Sequence, residues 1–401
     1  MKLYRHSFVI LVLVMTLILP GCWNRKELNE LGVVLAAGID TVGNQYEVSV
    51  QVVDPSAMSK QRIGDRSPVL VFSERAPTIF EALRKMTTKS SRKMYLSHLR
   101  MLIMDEATAR RGIQEPLGFW FRDHEVRPDF YIAVAKGRRA KDMLELVTPT
   151  EALPAMDLYK SLEVSEKSWA PTAAVNVREL FQTMTLDGVN PVLSGLTIKG
   201  DMEVGKQLEN AKQPLSFAEY QFVGIGVFRE DRLIGWLGEE ESKAYNYIMN
   251  RVFSTVGRVK CPGKEGDFVV EVTQANTKMN PMIKNGQPHV VLNVFVEANI
   301  GEVHCKVDLR DAQVFNAMQQ AAQDSLAIIL EAGVHKVQKE YGTDVYGIGE
   351  AFHRKYPKQW KEWKKSWDDM FQNDLKVEMR FDYNLRKLGK IIGPLQKESG
   401  E

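Results

Sequence analysis

The chain has 401 residues, with 53 Lys plus Arg against 51 Asp plus Glu, for a formal charge of +2. At about 100–200 residues per domain this length supports two or three domains, each able to bury its own core without metal or disulfide staples. The near balance of charge argues against a nucleic-acid partner, and three cysteines without a C-x-x-C pair exclude a zinc knuckle.

Lys2 and Arg5 open the chain with positive charge, Phe8 to Leu19 form an apolar run, and Leu19-Pro20-Gly21-Cys22 closes it with a small residue before a cysteine. This is the pattern of an export signal cut in front of a thiol. At roughly 1.5 Å per helical residue the apolar run reaches about 18 Å, short of the roughly 30 Å hydrocarbon core, so a lasting transmembrane helix is disfavoured. Residues 1–21 are expected to be a lipoprotein signal peptide, with Cys22 carrying S-diacylglycerol and an N-acyl chain. Two or more acyl chains, at about 0.8 kcal/mol per buried methylene, hold a protein stably on a bilayer. The body would then sit on the outer face of the cell membrane.

Beyond Cys22, Leu31–Ile39 is apolar, Thr41–Asn44 is turn-forming, and Tyr46, Val48, Val50 and Val52 alternate with polar residues, which predicts a hairpin. A polar loop over 54–67 precedes a short strand at Val69–Phe72. Thr78 opens a helix with Ile79, Ala82, Leu83 and Met86 on one face, and Leu96–Met104 reads as one apolar strand. Asp105 suits the start of the next helix and Gly112 its end. A strand at Phe130–Ala135 and a helix at Ala140–Val147 complete an α+β region with a mixed sheet. Thr148–Pro171 reads as a proline-rich connector around one short helix, and strands resume near Leu193. The polar stretch Lys206–Pro214 separates an N-terminal region, 22–205, from a C-terminal one, 215–386. The latter opens with a hairpin about Glu230-Asp231 and a helix at Glu239–Met249, and it carries a sub-boundary near Pro262. Phe268–Lys278 and His289–Val303 read as long strands joined by a wide loop. A long helix from Asp311, weakened at Gly333, follows. Then come a helix bearing Trp360, Trp363 and Trp367, a last strand at Leu375–Tyr383, and a basic tail over 387–401.

No nucleophile elbow, zinc-protease helix, P-loop or dinucleotide fingerprint is present, so no catalytic residue, cofactor or metal site is assigned. Asp123-His124-Glu125 is the only dense acid and imidazole cluster, and a solvated turn with local ion pairs accounts for it better than a hydrolase site. His98 is expected as a hydrogen-bonded core histidine, and His304 points away from Cys305 along a strand. Cys261 and Cys305 can form one disulfide. Each lies at an end of an apolar run, however, where a buried free thiol is equally ordinary, and free thiols are the expectation. The Trp360, Trp363 and Trp367 stripe is expected to pack into the core in preference to resting on lipid headgroups.

With these residues laid out, the sequence resembles the C subunits of the nutrient germinant receptors of endospore-forming bacteria, the Ger(x)C lipoprotein family. The likeness is carried by Gly21-Cys22-Trp23-Asn24-Arg25-Lys26-Glu27-Leu28 with Leu31-Gly32, where Asn24 replaces the commoner Asp. It continues through Leu96-Ser97-His98-Leu99 with Gly112-Ile113 and Arg122-Asp123, and through Gly226-Val227-Phe228 with Gly235-Trp236-Leu237. It ends at Gly342-Thr343-Asp344 and Gly347-Ile348-Gly349, up to Pro357 and Trp360. The resemblance implies a three-domain mixed α/β lipoprotein at the spore inner membrane, without enzymatic activity. Its implied partners are two integral-membrane subunits, an A-type one and a transporter-like B-type one. Germinant binding by this subunit itself is not expected. The competing reading is a solute-binding lipoprotein that delivers a small ligand to a transporter, disfavoured because no repeated βαβ lobes are evident.

Overall fold

The computed structural model describes His6, residues 30–54 and residues 67–386. Most of residues 1–21 (expected to be a signal peptide), Cys22, most of the 54–67 loop and the basic tail lie outside the described residues. The architecture is α+β, with two mixed sheets flanked by helices.

The first sheet opens with the expected hairpin, β1 (Leu31–Val42) and β2 (Gln45–Val53), turning at Gly43 with φ 59°. β3 (Val69–Ala76) pairs antiparallel with β2. The Thr78 hydroxyl accepts from the Glu81 N–H at 3.2 Å and so starts α1 (Ile79–Lys85). β4 (Lys93–Tyr95) and β5 (Met101–Asp105) both run parallel to β1. The residues between them form a turn, so the apolar run at Leu96–Met104 is not one strand, and His98 is exposed, edge-on to Tyr95, instead of buried. Asp105 caps α2 (Glu106–Arg111) through the Thr108 N–H at 2.8 Å, and Gly112 ends it. Then come α3 (Gln114–Arg122), β6 (Tyr131–Ala135), α4 (Ala140–Glu145), α5 (Pro154–Ser168) and α6 (Val177–Thr185). β7 (Val192–Gly200), the short α7 (Met202–Gly205), β8 (Ala218–Arg229) and β9 (Arg232–Leu237) complete this half.

Strand order is β3-β2-β1-β5-β6-β7-β8-β9 with β4 beside β1, parallel in the centre and antiparallel on both flanks. The central parallel strands are buried on both faces, as crossover connections require. Leu102, Met104, Ile132 and Val134 face one core with α1, α3 and α6, while Met101, Ile103, Ala133 and Ala135 face a second with α4 and α5. The polar stretch Lys206–Pro214, expected as a boundary, lies between β7 and β8, which pair with each other from Val192–Val227 to Gly200–Ala218. Sheet hydrogen bonds therefore cross it.

α8 (Glu239–Ile248) leads to the second sheet, β10 (Thr255–Lys260), β11 (Asp267–Lys284), β12 (Gln287–Val303) and β13 (Lys376–Arg386), in that order. The break at Pro262 is the β10–β11 turn. The loop expected to be wide is a two-residue turn, Asn285 and Gly286, with φ 51° and 77°. The ladder runs on through Pro281 because β10 pairs β11 only as far as Val272, so a missing N–H on that side costs no bond. Cys261 and Cys305, expected as free thiols, are joined in a disulfide. They flank the strands instead of filling them, and the Cys261 N–H to Gly266 O and His304 N–H to Asp267 O bonds bring the two backbones together.

α9 (Ala312–His335) continues as a π-helical turn over Lys336–Tyr341. Gly333 does not interrupt it. A Cβ there would collide with the Cβ of Ala244, so this glycine lets α9 and α8 touch. α10 (Ile348–Lys355), α11 (Pro357–Trp363) and α12 (Trp367–Asn373) follow, with Trp360, Trp363 and Trp367 buried in a ring cluster about Phe352 as expected. One continuous apolar core joins these helices and the second sheet to one face of the first.

Candidate functional site

Cys22 lies outside the described residues. The first of the continuous described residues after it is exposed Glu30, eight peptide steps away, or about 28 Å of fully extended chain. Asp123-His124-Glu125 forms a turn in which Asp123 accepts from the Glu125 N–H at 2.8 Å. Lys93 and the Ser97 hydroxyl hold Glu125, at 2.8 Å to its carboxylate and 2.6 Å to its carbonyl, while His124 is exposed. These groups satisfy one another and line up no nucleophile with a base. His304 is exposed against Glu302, while Cys305 is buried in its disulfide with Cys261. Among the described residues, no group of three or more His, Cys, Asp or Glu could hold a metal ion, and no helix is long and apolar enough to cross a membrane.

Three buried carboxylates fasten elements together. Asp40 accepts from the Ala140 and Lys141 N–H groups at 2.7 and 3.0 Å, capping α4, and burial pushes its carboxyl up to about 6. Glu166 accepts from the Ala174 N–H at 2.9 Å and from Arg251 at 3.0 Å, tying α5 to the segment after α8. Asp344, in the block Gly342 to Gly349, accepts from the Tyr346 N–H at 3.0 Å, the Gly349 N–H at 2.7 Å and the Trp367 indole at 3.1 Å. Burial outweighs these donors and raises its carboxyl to about 6. The Asp344 carbonyl in turn accepts from the Asn190 N–H at 2.7 Å, which ties the tryptophan cluster to the first sheet.

One enclosed opening lies where the two halves meet, a cleft of about 220 Å³ between β10, α8 and α9. Lys243, almost wholly buried, sits 3.7 Å from the centre of the Trp169 ring and 3.1 Å from Glu239. Glu239 also accepts from the Trp169 indole at 2.9 Å, fixing one wall. Val270, Val272, Ala322 and Leu326 make an apolar floor, with Tyr247 and Tyr383 beside them. Burial pushes both phenols up, so they stay protonated. The cleft holds contact and donor groups but no reacting pair. Its walls come from six separate stretches of chain, from Trp169 to Tyr383, so no local motif marks it.

Residues 24–198 match the family described as the spore germination protein N-terminal domain, and residues 223–389 the family described as spore germination B3/GerAC like, C-terminal. The gap between the two matches contains the polar stretch 206–214. The chain is 30% identical over 397 residues to spore germination protein KC of Bacillus subtilis (strain 168), covering 97% of each. It is 24% identical to spore germination protein B3 of the same organism, over 94% of this chain and 97% of that one. Its fold matches the crystal structure of the GerBC protein with a TM-score of 0.55 and 18% identity, over 88% of this chain and 97% of that chain.

Proposed function

The chain belongs to the GerAC-like family of spore germination proteins, and from that premise we propose that it is the membrane-anchored, non-catalytic C subunit of a nutrient germinant receptor. The observation that carries this is the coincidence of two features: an apolar run ending in Leu19-Pro20-Gly21-Cys22, and family matches over residues 24–198 and 223–389. Acylated Cys22 holds the folded body on the outer face of the spore inner membrane. Tethering converts its encounter with the A-type and transporter-like B-type subunits into a near-intramolecular one, raising effective concentration without new contacts. The body acts by contact, coupling ligand sensing elsewhere in the receptor to its response. Cys22→Ala should shift the protein from the membrane to the soluble fraction and slow nutrient germination in spores. Full membrane retention of that variant in fractionated spores would refute the acyl anchor.

A further inference from the structure

We propose that the outer edge of β10, with the cleft beside it, is the docking site for an extended segment of a partner subunit, added to the second sheet as a further strand. This rests on the receptor reading above and names the surface it uses. The cleft is lined by five consecutive residues, Thr255 to Val259. Successive side chains of a strand point to opposite faces, so an opening that touches all five runs along the strand's edge. β10 is terminal in its sheet, and only β11 pairs with it. Among the described residues, no backbone group of Val256–Lys260 bonds to anything but β11.

Two other terminal strands carry bonds from elsewhere in the fold. On β9 the Trp236 N–H donates to the Tyr341 hydroxyl at 3.1 Å, and that hydroxyl donates to the Trp236 carbonyl at 2.9 Å. On β13 the Leu385 N–H donates to the Gln319 side chain at 3.0 Å. Soluble proteins often blunt a bare edge with lysine or arginine. Here Arg258 and Lys260 are both drawn to Asp267 on β11, leaving the edge of β10 open.

The chemistry of the cleft selects the occupant. Trp169, Val256 and nearby Phe253 remain 41%, 37% and 59% exposed, an apolar mouth over an apolar floor. The volume, at roughly 30 Å³ per water, suits one large or two small apolar side chains. The Tyr247 and Tyr383 hydroxyls have no hydrogen-bond partner among the described residues, although each residue is only 5% exposed. At the rim, Glu239 is taken by Lys243, while Glu240 has no ion-pair partner among the described residues. The fitting segment is therefore extended, with an apolar side chain for the cleft and a cationic one facing Glu240. Main-chain bonds to β10 would supply affinity, and the cleft specificity.

The test places the photo-crosslinking residue p-benzoylphenylalanine at Ser325, on the α9 wall, in the full chain co-expressed with both membrane subunits. The expected product is a crosslink to one membrane subunit, mapped by mass spectrometry to a segment of this description. Val256→Lys, at an exposed edge position, should lower its yield by about tenfold without changing the melting temperature of the purified chain. Should Val256→Lys unfold the chain, Glu240→Lys must lower the yield in its place. A crosslink only to a second copy of this chain, or none from a complex that still co-purifies, overturns the docking site and leaves the receptor reading intact. Failure of the chain to co-purify with either subunit overturns both.

Discussion

Three N–H donors converge on the Asp344 carboxylate, and Asp344→Ala would leave all of them buried without an acceptor. At about 1–3 kcal/mol per orphaned donor, partly relieved by local relaxation, the variant should lose at least about 2 kcal/mol in denaturant unfolding. The loss should also depend on pH. Burial raises the folded carboxyl from 3.8 to about 6, so between those values the unfolded chain ionises first. Stability from this group is full below about pH 4 and falls as pH climbs to about 6, by on the order of 2–3 kcal/mol. The deficit of Asp344→Ala against the parent should shrink over that window, and a deficit that grows would show the sign to be wrong. Asp344 stood in one of the glycine-rich blocks of the sequence, but its burial depends on Asn190 and Trp367, far away in the chain. The cysteines tell the same story. Each looked like a strand-end thiol, and only the register of β10, β11 and β12 brings their backbones together. With a sequence separation of 44, the bridge closes a loop for which the chain-entropy estimate is about 4 kcal/mol. Cys305→Ser should cost up to that amount, and an unfolding midpoint insensitive to reductant in the parent would show that the bond does not form.

Hairpins and amphipathic helices were legible where spacing alone decides them: β1–β2, β8–β9 and α9 stand where alternation or helical periodicity placed them. α3 was not legible, because Pro116 and Gly118 look like breakers. Pro116 falls in the first helical turn, however, where its missing N–H is not needed. The apolar run at Leu96–Met104 misled for the opposite reason. Hydrophobicity marks burial, and a buried turn packs its leucines inward as well as a strand does. Gly333 looked like a weak point of α9 but is a contact point with α8. Gly333→Leu should force the two helices apart and destabilise the protein by about 1–3 kcal/mol, measured by thermal or denaturant unfolding. A neutral outcome would mean that the helices do not pack here.

At the scale of the molecule, the α+β class was legible from the alternation of strand and helix patterns, and the family from the ordered blocks. The polar stretch 206–214 has linker composition, and the strands on either side of it pair with each other. A fragment ending at Gly200 would expose the edge of β7 and uncover the core face that Ile225 and Val227 occupy. Such a fragment should be insoluble or unfolded when expressed alone and recover on co-expression with the remainder, as circular dichroism and solubility would show. Independent folding of that fragment would mean that β8 and β9 are dispensable to it.

β13 pairs in parallel with β12 from His289–Lys376 to Asn299–Arg386, across an intervening stretch that holds four helices. During synthesis, β12 therefore waits unpaired on that flank until nearly all of the described chain has been made. A premature stop codon anywhere before Lys376 would remove the closing strand, so even a late truncation should be as damaging to this half as an early one.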